Sequence, residues 1–440
     1  MRLKAHPVRS LSGRARPPGD KSISHRSLIL GALANGETPI EGLLEGADVL
    51  NTAAAMRAYG ATVERVGDGR WRVFGQGGFQ EPKAPIDFGN SGTGVRLTMG
   101  AAARFPILSV FIGDESLSGR PMARVLDPLR TMGAHSFARA GGKLPVALQG
   151  TADLHPLVHT PKVASAQIKS AILLAGLGAE RQSGVIEPKR TRDHTERMLK
   201  AFGAKVHEHP HESGGWCAMV EGLMPLHPAP VTVPADPSSA AFPAVAAAIL
   251  TGSEVRLEGV CLNPLRTGLY ETLRDMGVDL TIENQRDSAG ETIGDLQIRG
   301  GGLKAVSPPA ARASDMIDEF PILAVACAFA EGTSVLSGAE ELRVKESDRI
   351  ALMVNGLRAC GVNVEERPDG MVIEGKGPGS VPGGALVETH GDHRIAMSFL
   401  VLGLAAQNPV TVEDADMIAT SFPGFSAFMG ALGADIRDDA

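Results

Sequence analysis

Lysines and arginines beside hydroxyl, glycine and carboxylate residues recur in short phrases along this 440-residue chain. In GDKSISHRS, Lys21, Ser22 and Arg26 follow a Pro-Pro-Gly-Asp turn, and Ser22 and Arg26 sit one helical turn apart, so both are placed to face one ligand. FGNSGTGVRLTMG carries Asn90, Gly92, Thr93, Gly94 and Arg96, with glycines that let backbone approach a ligand closely. SGRPMARVLDPLR places Arg120 before Pro121, VASAQIKSAILLAGL opens on Ser165, Ala166 and Gln167, and Arg192 stands in TRDHTERML. These are the residue types that hold phosphate and carboxylate anions.

Carboxylates enter in the second half of the chain. DMIDEFPILAV sets Asp318 and Glu319 at the entry to an apolar helix, with Pro321 in its first turn. ELRVKESDRI gathers Arg343, Lys345, Glu346, Asp348 and Arg349, and THGDHRIAMSFLVLGLAA places Asp392, His393 and Arg394 before a long apolar run. Acid, base and cation in one group suit proton transfer on an anionic substrate. Singly, each phrase also fits a helix cap or a solvated charged face. Their periodicity is what selects the functional reading.

That periodicity defines the elements that position them. The pattern [Leu/Met]-x-x-x-Gly-[Ala/Val] occurs six times, at Gly60, Gly133, Gly203, Gly277, Gly361 and Gly433, with gaps of 70 to 84 residues. Each copy reads as a helix ending on a left-handed glycine, followed by a strand such as VNVEER or AKVHEH. The polar phrases recur in step, near Ser22, Gly92, Ser165, Ser238, Asp318 and His393, each ahead of a helix rich in Ala, Leu and Gly. Helices apolar all round must be enclosed by protein, with sheets outside them. The chain is therefore expected to be α/β, built from six βαβαββ repeats grouped as two domains of three, dividing near VTVPADPSS. Their buried helix starts offer unpaired amides and the positive end of the helix dipole, worth about 0.3 to 1 kcal/mol each. That is too little to select a dianion, so the neighbouring Arg and Lys residues must supply the rest.

Composition narrows the function. With 43 basic and 50 acidic residues, a net charge of −7 and 4% aromatics, the chain lacks the basic surface and stacking platforms of a nucleic-acid protein. AAFPAVAAAIL and FPILAVACAFA fall short of the ~18 residues of a membrane span, and the N-terminus shows no secretory apolar core. Cys217, Cys261, Cys327 and Cys360 have no CxxC or zinc-finger spacing and read as reduced, packed thiols. A cytoplasmic protein acting on small anions, with no membrane or nucleic-acid partner, is the expectation.

GDKSISHR, GNSGTGVRLTMG, SGRPM, SAQIKSAILLAGL, DEFPILA, RVKESDR and GDHRIAM together resemble the 3-phosphoshikimate 1-carboxyvinyltransferase (EPSP synthase) family, essentially from end to end. KRTRDHTERML and MIATSFPGF look more like its bacterial class II forms. The resemblance implies two inside-out α/β domains of three repeats, residues 1–20 with 235–440 and residues 21–234, with the active site in the cleft between them. It implies transfer of the enolpyruvyl group of phosphoenolpyruvate to the 5-hydroxyl of 3-phosphoshikimate, by a monomer, with no metal or organic cofactor and with glyphosate as inhibitor. It places Lys21, Ser22, Arg26, Ser165, Ala166, Gln167, Arg192, Asp318 and Lys345 around phosphoshikimate. Lys21, Gly92, Arg120, Gln167, Arg349 and Arg394 fall at positions contacting phosphoenolpyruvate. Asp318 is the implied base at the 5-hydroxyl, with Glu346 and Lys21 moving protons at C3 and the leaving phosphate.

Two departures stand out. Class I relatives have a Lys where this chain has Thr420, and tolerant class II enzymes resemble one another in having Ala where this chain has Gly92. UDP-N-acetylglucosamine enolpyruvyltransferase shares the chemistry, but its pattern has Lys-Asn in place of Lys21-Ser22 and a reactive loop Cys that ESLSGRPM lacks. A non-catalytic anion-binding repeat protein and an RNA-end-modifying enzyme on similar repeats are the remaining alternatives.

Overall fold

A computed structural model describes residues 1–288 and 290–439. Its repeating joint is the glycine phrase. All six glycines have positive φ, from +82° at Gly361 to +108° at Gly133. In each copy the N–H of the residue after the glycine donates to the carbonyl of the Leu or Met that opens the phrase: Ala61 to Met56, Ala134 to Leu129, Ala204 to Leu199, Val278 to Leu273, Val362 to Leu357 and Ala434 to Met429. This six-to-one bond closes only over a left-handed residue, which fixes the spacing between the apolar residue and glycine. The opening Leu or Met is fully buried in every copy, so the joint also pins the helix to its sheet.

Each joint feeds a four-stranded sheet, and the described residues form six of these. One repeat runs through strand Ile86–Asp87, helix Gly92–Ala102, strand Leu108–Ile112, helix Ala123–Thr131 and the hairpin His135–Arg139 and Lys143–Gln149. The first two strands are parallel, with Ile86 opposite Phe111, and Lys143–Gln149 is antiparallel both to Leu108–Ile112, with Leu108 opposite Gln149, and to His135–Arg139, with His135 opposite Gln149. The same mixed order appears in the other five sheets. The chain termini close two of them: Ser12–Ala15 lies parallel to Glu254–Cys261, and Leu3–His6 inserts between Val410–Val412 and Asp435–Asp438.

The repeats divide into two compact units, each with its own apolar core. One comprises Met1–Pro18, Pro234–Asp287 and Glu291–Ala440, and the other Gly19–Val233 with Ser288 and Gly290. The family resemblance implied a first boundary after residue 20, two residues later than this division. Asp20 belongs with the second unit because its carboxylate accepts the Ile23 N–H at 2.8 Å and caps helix Lys21–Leu33. Gly19 follows because a side chain there would collide with the Gly42 carbonyl.

Three helices form the interior of each unit: Lys21–Leu33, Gly92–Ala102 and Ala166–Gly176 in one, Pro237–Ile249, Phe320–Ala328 and His393–Ala405 in the other. Nearly every residue on all six is buried, which is why Ala and Gly dominate them. At Gly100 the packing is backbone against backbone, since a Cβ there would lie 2.3 Å from the Ala171 carbonyl oxygen. The four cysteines are buried. No helix among the described residues is long and apolar enough to cross a membrane.

Two glycine substitutions should separate these roles by urea denaturation. Gly277→Ala meets open space and costs only its left-handed backbone, about 1 to 2 kcal/mol. Gly100→Ala must push two helices apart and is expected to cost more, about 3 kcal/mol. Equal losses would contradict the close-approach argument.

Candidate active site

Helix Lys21–Leu33 begins the first group. Lys21 makes an ion pair with Asp48, itself buried at the start of helix Ala47–Ala58. Arg26 is 4% exposed and donates to the Thr195 hydroxyl at 2.7 Å, the Ser170 hydroxyl at 2.8 Å and the Ser22 carbonyl at 2.9 Å. Helical spacing does bring Ser22 and Arg26 together, but the Ser22 partner is its backbone carbonyl. Behind them His25 shares a hydrogen bond with Thr52 at 2.8 Å. Burial, with Lys21 and Arg26 nearby, holds its imidazole well below the usual histidine range.

The second cluster lies at the start of helix Gly92–Ala102, where the Ser91 hydroxyl accepts the Gly94 N–H at 3.1 Å. Arg96 donates to the Gln167 side-chain carbonyl at 2.8 Å, and the Gln167 amide donates to the Thr93 hydroxyl at 2.9 Å. Gln167 comes from the first turn of helix Ala166–Gly176, whose cap position, Ser165, makes no side-chain capping bond. Arg120 follows the short helix Glu115–Gly119 and donates to Asn90 at 2.7 Å and Ser116 at 3.0 Å. A methyl group on Gly92 would lie 3.0 Å from the Arg96 guanidinium and 3.1 Å from that of Arg120. Two guanidinium groups thus flank a side chain of one hydrogen. Arg192 stands half-buried between strand Ser183–Glu187 and helix His194–Ala201.

The other unit holds the carboxylate group. Arg349 opens helix Arg349–Ala359, is 1% exposed and lies among three carboxylates. It donates to Asp392 at 2.8 Å, pairs with Glu346 at 2.6 Å and reaches Asp318 at 3.3 Å. Burial alone would lower the guanidinium pKa; Asp392, Glu346 and Asp318 reverse that and raise it, so the charge is permanent. Lys345 lies 3.9 Å from Asp318 and 3.9 Å from Glu341. Arg394 donates to the Asp318 carbonyl at 3.2 Å and lies 4.0 Å from Glu319. Asp318 therefore has cations at both its carboxylate and its carbonyl. It sits in the 3-10 turn Ile317–Glu319, one residue before the helix cap, so it is engaged by Arg349 and does not cap helix Phe320–Ala328.

Asp392 is the anchor of this group. Its carboxylate accepts from Arg349, from the Ser347 hydroxyl at 2.8 Å and from the Arg394 N–H at 3.0 Å. Burial would raise its pKa, and the contact with Arg349 overrides that and holds it below the usual carboxylate range. A related cluster occupies the start of helix Pro237–Ile249. There Arg266 donates to Asp236 at 3.0 Å and to the Ser238 hydroxyl at 2.9 Å, and Ser238 donates to Glu319.

Every phrase singled out in the sequence lies at a helix start or the turn beside one. Sequence reasoning missed the partners: Asp48 for Lys21, Asp236 and Arg266, and the buried Lys169 with Glu187 and Glu196. For Lys169 a signal existed, because a lysine in a helix apolar on all sides must have a buried counter-charge. Thr420, where class I relatives carry Lys, turns its hydroxyl onto the Met417 carbonyl at 2.7 Å.

Six four-stranded sheets among the described residues, around two sets of buried helices, form the fold that enolpyruvyl transferases share. The enolpyruvyl transferase NikO of Streptomyces tendae shares the fold, with a TM-score of 0.78 at 19% identity over 99% of this chain and 98% of its own. The EPSP synthase of Acinetobacter baumannii superimposes with a TM-score of 0.88 at 43% identity, covering 99% of this chain and 100% of its own. Proteins named 3-phosphoshikimate 1-carboxyvinyltransferase are 58% identical in Phenylobacterium zucineum, over 99% of this chain and 95% of theirs, and 58% identical in Caulobacter vibrioides, over 99% of each. The family model for EPSP synthase (3-phosphoshikimate 1-carboxyvinyltransferase) matches residues 5–429, and the chain belongs to that family.

Asp392→Asn should cost about 3 kcal/mol near neutral pH by leaving a buried guanidinium under-compensated. The folded-state pKa of Asp392 is depressed, so its contribution is full above the unfolded carboxyl pKa of about 3.9 and is lost as pH falls through the folded value. Urea midpoints at about pH 3, 5 and 7 should therefore show a smaller gap between wild type and variant at the acid end. A gap independent of pH would refute the pairing.

Proposed function

We propose that the protein transfers the enolpyruvyl group of phosphoenolpyruvate to the 5-hydroxyl of 3-phosphoshikimate, giving 5-enolpyruvylshikimate 3-phosphate and phosphate. This is the shikimate-pathway step toward chorismate and the aromatic amino acids. The observation that carries the reading is the match along nearly the whole chain to proteins of this activity. The charge pattern supports it independently, since two multiply anionic substrates need several fixed cations each.

The chemistry assigns work to both groups. The 5-hydroxyl oxygen bonds to C2 of phosphoenolpyruvate while C3 takes a proton, giving a tetrahedral ketal phosphate. Loss of a C3 proton and of phosphate from C2 then restores the double bond. Asp318 takes the hydroxyl proton, and Arg349 and Lys345 beside it hold its carboxylate in place. Glu346, paired with Arg349, and Lys21, paired with Asp48, carry protons at C3 and at the departing phosphate. Arg120, Arg349, Arg394, Lys21, Gln167 and Gly92 receive phosphoenolpyruvate. Ser22, Arg26, Ser165, Ala166, Gln167, Arg192 and Lys345, with Lys21 and Asp318, receive 3-phosphoshikimate. The reading includes a cytoplasmic monomer, as the family resemblance implies.

Glyphosate is proposed as an inhibitor at the phosphoenolpyruvate position, where a methyl group on Gly92 would press on two guanidinium groups. Gly92→Ala would displace the Arg96 and Arg120 guanidinium groups. Its expected effect is a roughly tenfold higher inhibition constant for glyphosate, with a smaller rise in the KM for phosphoenolpyruvate. An unchanged inhibition constant would remove the steric argument.

The central test is phosphate release from phosphoenolpyruvate with 3-phosphoshikimate, with UDP-N-acetylglucosamine as rival acceptor and with neither. Release with phosphoshikimate alone, reduced about a hundredfold or more in Asp318→Ala, is expected. Release with the sugar nucleotide alone would move the protein to the sister activity. No release with either acceptor would point to a binding protein.

A further inference from the structure

Lys169 lies within helix Ala166–Gly176 and is 1% exposed, the one lysine among the described residues with so little solvent contact. Its ammonium is 2.9 Å from Glu187 and 2.8 Å from Glu196, both fully buried. A buried cation with two carboxylates is a costly arrangement, and apolar residues of similar volume would serve stability as well or better. Its retention calls for a positional task.

The geometry shows one. Lys169 also donates to the Thr191 carbonyl at 3.0 Å. Glu187, held by Lys169 through one oxygen, accepts the Thr191 N–H at 3.2 Å on that same oxygen and the Thr191 hydroxyl at 2.6 Å on the other. Every polar group of Thr191 is therefore fixed by the Lys169–Glu187 pair. On the far side of Arg192, Asp193 accepts from Arg190 at 3.0 Å and from Arg197 at 2.9 Å. Arg192 is bracketed by two immobilised residues, and the inner bracket depends on Lys169. Glu196 completes the charge around the ammonium: burial raises the Glu196 carboxyl, with Lys169 opposing, whereas the two glutamates outweigh burial and raise Lys169, so the lysine is the fixed charge.

We propose that Lys169 is a positioning residue for 3-phosphoshikimate, acting through Glu187 and Thr191 to hold the Arg192 guanidinium at the substrate phosphate. This rests on the reading of Arg192 as a phosphate ligand given above. No atom of Lys169 itself is required to touch substrate. Its effect belongs to the binding of one substrate, which a merely structural role would not single out.

Steady-state kinetics with both substrates test it. Arg192→Ala is expected to raise the KM for 3-phosphoshikimate roughly tenfold. Lys169→Met should raise the same KM several-fold, with kcat and the KM for phosphoenolpyruvate within about twofold of wild type. The double variant should be no worse than Arg192→Ala alone, because both changes remove one interaction. Thr191→Val should give a smaller rise in the same direction, and Thr191→Ser, which keeps the hydroxyl, should restore the wild-type value. A folded Lys169→Met with unchanged KM, or a double variant whose effects multiply, overturns the proposal. If Lys169→Met does not fold, the Thr191→Val and Arg192→Ala pair decides in its place, and multiplying effects again overturn it. An Arg192→Ala protein with unaltered KM overturns the ligand reading and this proposal together, whereas a raised KM with multiplying effects overturns the proposal alone.

Discussion

Six helices packed within the two units present six sets of N-terminal amides that lack intrahelical partners, and much of the surrounding polar structure is organised around meeting them. Four of these helices use their own cap side chain: Asp20 to Ile23, Ser91 to Gly94, Asp236 to Ser238 and Asp392 to Arg394. Three of those caps are carboxylates, and a carboxylate at a buried helix start needs a cation beside it. Arg266 answers Asp236 and Arg349 answers Asp392. One cation of the proposed chemistry, Arg349, thus also meets a folding requirement. Helices Ala166–Gly176 and Phe320–Ala328 have no side-chain capping bond, and Gln167 and Asp318, proposed substrate contacts, lie at their starts.

Such networks do little for net stability, because desolvation offsets most of the attraction between buried charges. Their value is geometric. Arg349 is touched from three directions by Asp392, Glu346 and Asp318, so its planar guanidinium has little freedom to turn. Lys169 is held by Glu187 and Glu196 in the same manner. A charge already desolvated and oriented in the free protein loses little further freedom when an anionic transition state forms. The apolar cores supply the stability that such placement draws on, since each unit buries Leu, Ile, Val, Phe and Met side chains worth about 1.5 to 3 kcal/mol apiece.

How far the fold could be read in advance follows from which interactions are local in sequence. The glycine joint is local: Leu273 and Val278 are joined by one hydrogen bond across Gly277, so the spacing in the phrase reports the geometry directly. The buried helices are legible for a similar reason, since a run such as AAFPAVAAAIL has no polar face to offer solvent. Partners distant in sequence leave no such trace. Nothing near Lys21 points to Asp48, and nothing near Asp236 points to Arg266. The family resemblance supplied residue roles that spacing alone left open, as at Glu346 and Arg394. The longest gap, between Gly277 and Gly361, came without explanation from sequence; the structure traces part of it to a hairpin whose strands, Asp279–Ser288 and Glu291–Arg299, run to ten and nine residues.

A repeated architecture makes function visible as departure from the repeat. Where successive copies obey the same rule, as at the six left-handed glycines, folding alone accounts for the residue. Where they diverge at equivalent places, folding does not. The three helix starts of one unit carry Lys21, Gly92 and Gln167, and those of the other carry Ser238, Asp318 and His393. No shared capping rule requires that set, and no gain in packing follows from placing Arg96 and Arg120 against a bare Gly92. Divergence among the helix starts therefore fits the proposed assignment of Lys21, Gly92, Gln167 and Asp318 to chemistry rather than to the fold alone. Lys169 fits the same logic, because the interior faces of five other buried helices are built without a lysine.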